Sequence, residues 1–108
     1  MIEARGLPPL PLDAAAAFHH DHIPAIRSAI AQVSDLVVVF DPAGHAHDGW
    51  QLAAIQELAR EAVPVRINGV IGLASNASGV AEAAQFCHAA PGITGQIFTV
   101  DGNSSQKD

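Results

Sequence analysis

Two patterns of apolar residues occur along this chain, and each predicts a different kind of element. Spacings of three and four place Ile23, Ile26, Ile30 and Val33 on one face of a helix. The apolar run that follows, over residues 35–40, is continuous and rich in β-branched side chains. Such a run is typical of a strand that is buried on both faces of a sheet. We therefore predict a helix followed by a buried strand.

The same succession of helix and strand repeats twice towards the C-terminus. The first repeat is a helix over residues 50–62 and a strand over residues 64–68. The second is a helix over residues 79–89 and a strand over residues 96–100. The residues predicted to face the core are Leu52, Ile55, Ala59 and Ala62 in the first helix and Val80, Ala83, Ala84 and Cys87 in the second.

Prolines and acidic residues mark the remaining boundaries. The three prolines within residues 7–13 disfavour a helix or a central strand and predict an extended segment. Asp13 is predicted to cap a short helix that Pro24 breaks or restarts. Asp48, with Gln51 three positions later, resembles a capping box at the start of the next helix.

Helix and strand alternate three times with short connections. This order predicts an α/β fold with a small three-layer parallel sheet of three or four strands, covering helices and right-handed crossovers. The 108 residues have room for one hydrophobic core. We predict one domain over residues 1–103 and a polar tail over residues 104–108.

Composition narrows the possible classes of function. Hydrophobic residues make up 49% of the chain, and a formal net charge of −6 argues against nucleic acid and anionic membranes as partners. No apolar run approaches the roughly 20 residues of a membrane span, and the N-terminus lacks the pattern of a secretion signal. We therefore predict a cytoplasmic protein. The chain has no tyrosine, and its single lysine is Lys107.

Four stretches resemble motifs of the short-chain dehydrogenase/reductase family, whose members have a Rossmann fold. The most specific is PGITGQIFTVDGN, residues 91–103, which is similar to the family's last strand. QELAREAVPVRINGVIG (residues 56–72) and AEAAQFC (residues 81–87) resemble the elements before it, and SDLVVVFDPAG (residues 34–44) is a looser match. The resemblance covers most of the chain and implies the C-terminal half of a Rossmann fold.

The resemblance also implies where a cofactor would lie. Asp13 falls where the family has an aspartate that contacts adenine. Ala43 and Gly44 match the end of an Asn-Asn-Ala-Gly motif, and Gly72 ends the segment that contacts nicotinamide. The family's glycine fingerprint and its catalytic Tyr-x-x-x-Lys pair are both missing from this sequence. We therefore predict no catalytic residue and no cofactor, with NAD(P) binding as the less favoured alternative.

The last strand of the family and the helix before it form subunit interfaces, and these are the best matched parts of this chain. The leading prediction is a non-catalytic dehydrogenase-like domain that acts by association. Its partner would be a second copy, giving a homodimer, or a full-length member of the family. The predicted interface residues are Val80, Phe86, Ile97, Phe98 and Val100.

Two other functions stay open. One is a small-molecule or nucleotide binding module without turnover, which would use Asp13, Gly44 and the loop over residues 69–79. The polar residues of that loop equally suit the cap of the next helix.

The other is a metal-dependent enzyme that uses the histidines, because imidazole is a common metal ligand. Its candidate ligands are His22, His45 and His47. Their spacing matches no motif with a known mechanism, so we predict histidines on the surface or in loops and no metal site.

Overall fold

Four parallel strands form the centre of the molecule. The computed structural model describes residues 1–100. In it β1 (Ile2–Ala4), β2 (Asp35–Phe40), β3 (Arg66–Ile71) and β4 (Ile97–Thr99) lie side by side in chain order, and every neighbouring pair is parallel. The predicted α/β fold with a small parallel sheet is confirmed. The predicted domain end at residue 103 and the tail after it lie outside the described residues.

Helical segments connect these strands. Between β1 and β2 lie α1 (Pro11–Ala17), a π-helical turn (Phe18–His22) and α2 (Ile23–Ile30), which follow one another without a break. A 3-10 turn (His45–His47) leads into α3 (Asp48–Ala62), and α4 (Ala77–Ala89) connects β3 to β4. Among residues 1–100, none of the helices has both the length and the apolar character that a membrane span requires.

The helices cover the two faces of the sheet unequally. On one face α1, α2 and α3 pack together, and the Phe18 ring lies 5.3 Å from that of Phe40 and 5.5 Å from that of Trp50. On the other face α4 is the one helix that packs within residues 1–100, and its buried residues Val80 and Cys87 contact the valines of β2 and β3. The three layers are therefore a sheet, a thick helical layer and a single helix.

The connection through α4 has the opposite hand to the two before it. Each new strand is added on the same side of the one before it, so the sheet grows in one direction from β1 to β4. The first two connections cross the face covered by α1, α2 and α3, but α4 crosses the opposite face. The prediction that all crossovers are right-handed is therefore wrong for one of them. Strand twist makes nearly all parallel connections right-handed, so specific contacts are needed to hold an exception in place.

Arg66, the first residue of β3, supplies one set of these contacts. Its guanidinium donates hydrogen bonds to the carbonyl oxygens of Cys87, His88 and Ala90 at 2.9 to 3.1 Å. It also donates to the Ile93 carbonyl in the following turn, at 3.3 Å. The last carbonyls of a helix have no partners within it, and a cation there complements the helix dipole. Arg66 thus fixes the end of α4 to β3.

Asn68, two residues further along β3, supplies the other set. Its amide nitrogen donates to the Ile93 carbonyl at 3.0 Å, and its amide oxygen accepts from the Gln96 backbone N–H at 3.1 Å. Because Asn68 is only 1% exposed, both hydrogen bonds lie in the interior. We call the contacts of these two side chains the Arg66–Asn68 network. Together they position α4 and β4 against β3.

Two residues predicted to face the core are exposed. Val33 is 41% exposed because α2 ends at Ile30, three residues earlier. Leu52 is 40% exposed because it lies at the margin of the inward face of α3, whereas Ile55 and Ala59 are buried as predicted. The buried residues of α3 are Gln51, Ala54, Ile55, Leu58, Ala59 and Ala62.

The predicted helix starts also differ from the structure. α1 begins at Pro11, so Asp13 lies in its first turn and makes no capping hydrogen bond. Pro24, in contrast, falls in the first turn of α2, where its missing N–H is not needed, so a helix restarts there as predicted. Asp48 is the first residue of α3 and makes no capping hydrogen bond either.

The predicted strands differ mainly in their lengths. β1 is not predicted, because three residues are too few to show a period. β3 runs to Ile71, so the loop predicted over residues 69–78 shrinks to residues 72–76. At its end Asn76 caps α4 by accepting the Gly79 N–H at 3.2 Å.

Asn68→Ala tests the Arg66–Asn68 network. The substitution leaves the Gln96 N–H without its partner, and an unpaired buried polar group costs about 1–3 kcal/mol. It also removes one of the two hydrogen bonds to the Ile93 carbonyl, which keeps the one from Arg66, and a lost hydrogen bond costs about 1 kcal/mol. We expect urea denaturation to show a free energy of unfolding lower by roughly 2–4 kcal/mol. Gln85→Ala, on the exposed side of α4, is the control and should change it by less than about 0.5 kcal/mol. Equal effects of the two substitutions would contradict this role of Asn68.

Candidate functional site

An ion pair joins the strand ends at the carboxyl edge of the sheet, the edge at which open α/β proteins bind ligands. Arg5 directly follows β1, and Asp41 directly follows β2. The Arg5 guanidinium donates to Asp41 Oδ1 at 2.6 Å and to the Gly72 carbonyl at 2.8 Å. The Gly6 N–H donates to Asp41 Oδ2 at 2.9 Å. The ends of β1, β2 and β3 are thereby held together.

This bonding determines the charge of Asp41. Partial burial raises the pKa of its carboxyl group, but the hydrogen bond from Gly6 and the hydrogen bond and charge of Arg5 outweigh burial. The pKa of Asp41 therefore lies below the usual range of an aspartate. Both carboxylate oxygens are engaged, so Asp41 is a structural anion at this edge.

A cavity of about 320 Å³ opens beside the ion pair, and we call it the edge cavity. Its wall is formed by the ends of β1 and β2, the segment over residues 7–9 and the start of α3. Most of the residues in this wall are apolar, although polar atoms contribute nearly half of its surface. Its flat apolar groups are Pro8, Pro9, Phe40 and Trp50, and its polar side chains are Asp41, His47 and Gln51.

His47 lies buried in this wall with both ring nitrogens engaged. Nδ1 accepts the indole N–H of Trp50 at 3.0 Å, and Nε2 lies 3.0 Å from the carbonyl oxygen of Pro9. A ring that accepts at Nδ1 and donates at Nε2 is the neutral Nε2–H tautomer. His47 therefore ties the segment over residues 7–9 to α3 and leaves no nitrogen for another partner.

The four predicted cofactor residues do not share one surface. Ala43 lines the edge cavity, and Ala43 and Gly44 line a second opening of about 250 Å³ next to it. Asp13 is exposed in the first turn of α1 and lines neither space. Gly72 is buried, and a Cβ atom there would lie 2.7 Å from Val80 Cγ2. Its missing side chain is what lets α4 approach the sheet.

The described residues do not fit the pyrophosphate of NAD(P). Dinucleotide folds present free backbone N–H groups at a helix start directly after a strand. After β1 the chain carries Pro8, Pro9 and Pro11, which have no N–H. α3 begins with the carboxylate of Asp48, which repels phosphate, and at the start of α4 the Asn76 side chain already accepts a backbone N–H.

The candidate metal ligands do not converge. His45 is exposed and lies 3.1 Å from Asp48 Oδ2, while His22 stacks on Phe18 with 5.9 Å between the ring centroids. His47 is held by Pro9 and Trp50 as described above. Within residues 1–100, no three His, Cys, Asp or Glu side chains are grouped so that they could hold a metal ion.

The predicted interface residues divide between the two faces of the sheet. Phe86 on α4 and Phe98 on β4 form an edge-to-face pair with 5.6 Å between ring centroids, and Phe86 is 53% exposed. Val80 and Val100 pack in the small core under α4. Ile97 packs on the opposite face, in the core under α3. Phe86 is thus the most accessible of the five.

Arg5, Asp41 and Gln51 are not among the residues predicted from the sequence. Asp41 carries a usable signal, because it directly follows an apolar strand and the carboxyl ends of parallel strands meet at one edge. Arg5 follows a strand too short to recognise. Gln51 was assigned to a capping box, whereas in the structure it is buried on the inward face of α3.

Together these features define a parallel α/β domain with two adjoining cavities at the carboxyl edge of its sheet. Comparison with protein-family profiles matches residues 2–100 to the family described as short chain dehydrogenase-like protein. The chain belongs to this family, which confirms the resemblance found in its motifs. Comparisons with curated proteins and with solved structures find no significant match.

Asp41→Asn removes the anion at the carboxyl edge. Because the pKa of Asp41 is lowered in the folded protein, its ionised form stabilises the fold above the pKa of the unfolded chain. That stabilisation is lost as the pH falls through the folded pKa. We expect Asp41→Asn to be less stable than the wild type at about pH 7 and the difference to shrink below about pH 4. Urea denaturation over a pH series measures this, and a constant difference would contradict it.

Gly72→Ala tests whether Gly72 serves packing. The added methyl group would overlap Val80, and overpacking of this kind costs about 1–3 kcal/mol. The matched control is Gly49→Ala in α3, where an added Cβ meets no atom within 4 Å. Alanine there should raise the free energy of unfolding by about 0.4–1 kcal/mol. Chemical denaturation measures the free energy of unfolding of both variants. A change of the same sign in the two variants would refute this explanation.

Proposed function

We propose that this chain is a non-catalytic dehydrogenase-like domain that acts by forming a homodimer. The interface is the surface made by Phe86, Phe98 and the outer edge of β4, called here the α4–β4 surface. The observation that carries the proposal is the half-exposed ring of Phe86, paired with the partly buried ring of Phe98, beside a strand edge without a partner among residues 1–100.

Phe86 supplies the apolar contact of this surface. It is more than half exposed on the only helix that covers its face of the sheet within residues 1–100. Aromatic side chains are enriched in the fully buried centres of protein interfaces and contribute much of the binding energy there. The edge-to-face contact with Phe98 orients the ring before a partner arrives, which lowers the entropy lost on association.

The outer edge of β4 supplies the polar contact. β4 pairs with β3 on one side and is the terminal strand of the sheet in the described part of the chain. A terminal strand presents backbone N–H and C=O groups that can pair with another strand. A two-fold axis beside β4 would set it antiparallel to its own copy. The two sheets would then form one continuous sheet, with the two Phe86 rings on the same side.

The absence of hydride-transfer chemistry is supported by composition. The family's reaction uses a tyrosine with a lysine beside it, whereas this chain has no tyrosine and only Lys107. At the carboxyl edge, Asp41 and His47 are both fully bonded to other groups of the protein. Neither is free to act as a general acid or base.

Phe86→Glu tests the α4–β4 surface. In a two-fold dimer the substitution replaces an apolar contact with two like charges near the same axis. Loss of an aromatic residue at the centre of an interface costs about 2 kcal/mol or more, so we expect the dimer dissociation constant to rise at least about 30-fold. Sedimentation velocity over a concentration series measures it. Leu52→Glu, at a similarly exposed apolar residue on the opposite face, should leave the constant unchanged.

Three results would count against the proposal. A wild-type chain that stays monomeric over the whole concentration series would remove the homodimer, and capture of a full-length family member would then favour the hetero-complex. Equal dissociation constants for wild type and Phe86→Glu would place the interface elsewhere. Reduction of a ketone at the expense of a nicotinamide coenzyme would refute the non-catalytic assignment.

A further inference from the structure

Gln51 combines deep burial with a free polar group. The residue is 3% exposed on the inward face of α3. Within residues 1–100 its side-chain amide makes no hydrogen bond, although an amide offers two N–H donors and one acceptor oxygen. Burying such a group without partners is unfavourable, so the surroundings of the amide need an explanation.

The amide faces open space although the residue is buried. No side-chain nitrogen or oxygen within residues 1–100 is both sealed from solvent and without a partner. The nitrogen and oxygen of Gln51 therefore retain access to a cavity. Gln51, Pro42 and Ala43 line both the edge cavity and the second opening, so they form the wall that the two spaces share.

The other polar side chains of the edge cavity already have partners. Both oxygens of Asp41 accept hydrogen bonds from Arg5 and Gly6. Both nitrogens of His47 and the indole N–H of Trp50 are engaged as well. Of the side chains that line the edge cavity, Gln51 is therefore the one with free N–H donors, and it also has a free acceptor oxygen, whereas Asp41 can only accept.

The shape and charge of the cavity restrict that ligand further. Its volume of about 320 Å³ is at the small end for ligand pockets, which suits a single ring system. The rings of Phe40 and Trp50 and the flat faces of Pro8 and Pro9 favour a planar molecule. No lysine or arginine lines the cavity and the Asp41 carboxylate does, so a phosphate or carboxylate on the ligand would be disfavoured.

We propose that the edge cavity binds an uncharged planar heterocycle of the nucleobase type, which pairs its adjacent donor and acceptor with the Gln51 amide. Of the four predicted cofactor residues Ala43 lines this cavity, whereas Asp13, Gly44 and Gly72 do not. The site is independent of the α4–β4 surface, because the cavity lies at the carboxyl edge between β1, β2 and α3.

Fluorescence of Trp50 provides a direct test. Trp50 is the only tryptophan and the chain has no tyrosine, so its emission reports the wall of this cavity. The probes are adenine and uracil, with benzene as a planar ring without polar edge groups and AMP as a charged relative. Excitation at the red edge of the indole band limits absorption by the bases. We expect a saturable change with adenine or uracil, and weaker binding of benzene and AMP.

Gln51→Leu removes the amide and keeps the size of the side chain. Loss of the hydrogen bonds to one ring edge should weaken base binding about tenfold, whereas Gln85→Leu on the surface of α4 should leave it unchanged. Circular dichroism establishes that both variants are folded. If Gln51→Leu does not fold, the proposal is tested by the relative affinities of the wild-type chain for the bases, benzene and AMP, because that comparison needs no variant.

Three outcomes would overturn the proposal. The first is no change in Trp50 emission with either base up to its solubility. The second is benzene or AMP binding as tightly as the bases, which would remove the role of the amide edge or of neutral charge. The third is equal base affinity of wild type and folded Gln51→Leu.

Discussion

The crossover through α4 depends on hydrogen bonds from Arg66 and Asn68. These bonds join β3 to the end of α4 and to the turn after it, and they hold a connection whose hand strand twist alone would not favour. α4 crosses the sheet with the opposite hand to the earlier connections, and β4 has only three residues with which to pair. Two backbone bonds, Gly95 N–H to Ile67 and Gly69 N–H to Gln96, complete the attachment at 2.7 and 2.8 Å. The position of the α4–β4 surface therefore depends on contacts made by β3.

This network also explains why the C-terminal half of the chain resembles its family so closely. The Arg-Ile-Asn string of β3 and the Ile-Thr-Gly-Gln string before β4 are two sides of one set of hydrogen bonds. Thr94 Oγ1 accepts the Ile67 N–H at 3.1 Å, next to the bond between Asn68 and Gln96. The resemblance therefore reflects how the last βαβ unit is held together. The groups that carry the family's reaction belong to other motifs, which this chain lacks.

The sequence predicts the fold better than the site for a physical reason. A long apolar run such as β2 forms a strand because its side chains must be buried, and residue type alone shows this. The alternation of helices and strands can then be predicted from such runs. The limits of the buried face of α3 and the hand of the α4 connection depend on tertiary packing, so the predictions for Leu52 and for this crossover are wrong. Gln51 shows why the site is harder to predict. Its burial and its lack of a hydrogen-bond partner within residues 1–100 are properties of the folded chain, whereas its residue type alone favours a helix cap or an exposed position.

The two ends of the sheet differ in a way that limits how large an assembly can become. The β1 end carries the charged side chain of Glu3 within the strand and that of Arg5 directly after it, and a proline-rich segment follows. Features of this kind discourage strand addition. In the proposed homodimer, pairing of β4 with its own copy would use the edge of each sheet that favours strand addition. The assembly would then close as a pair, because the β1 edge would not accept a further sheet and a filament could not form.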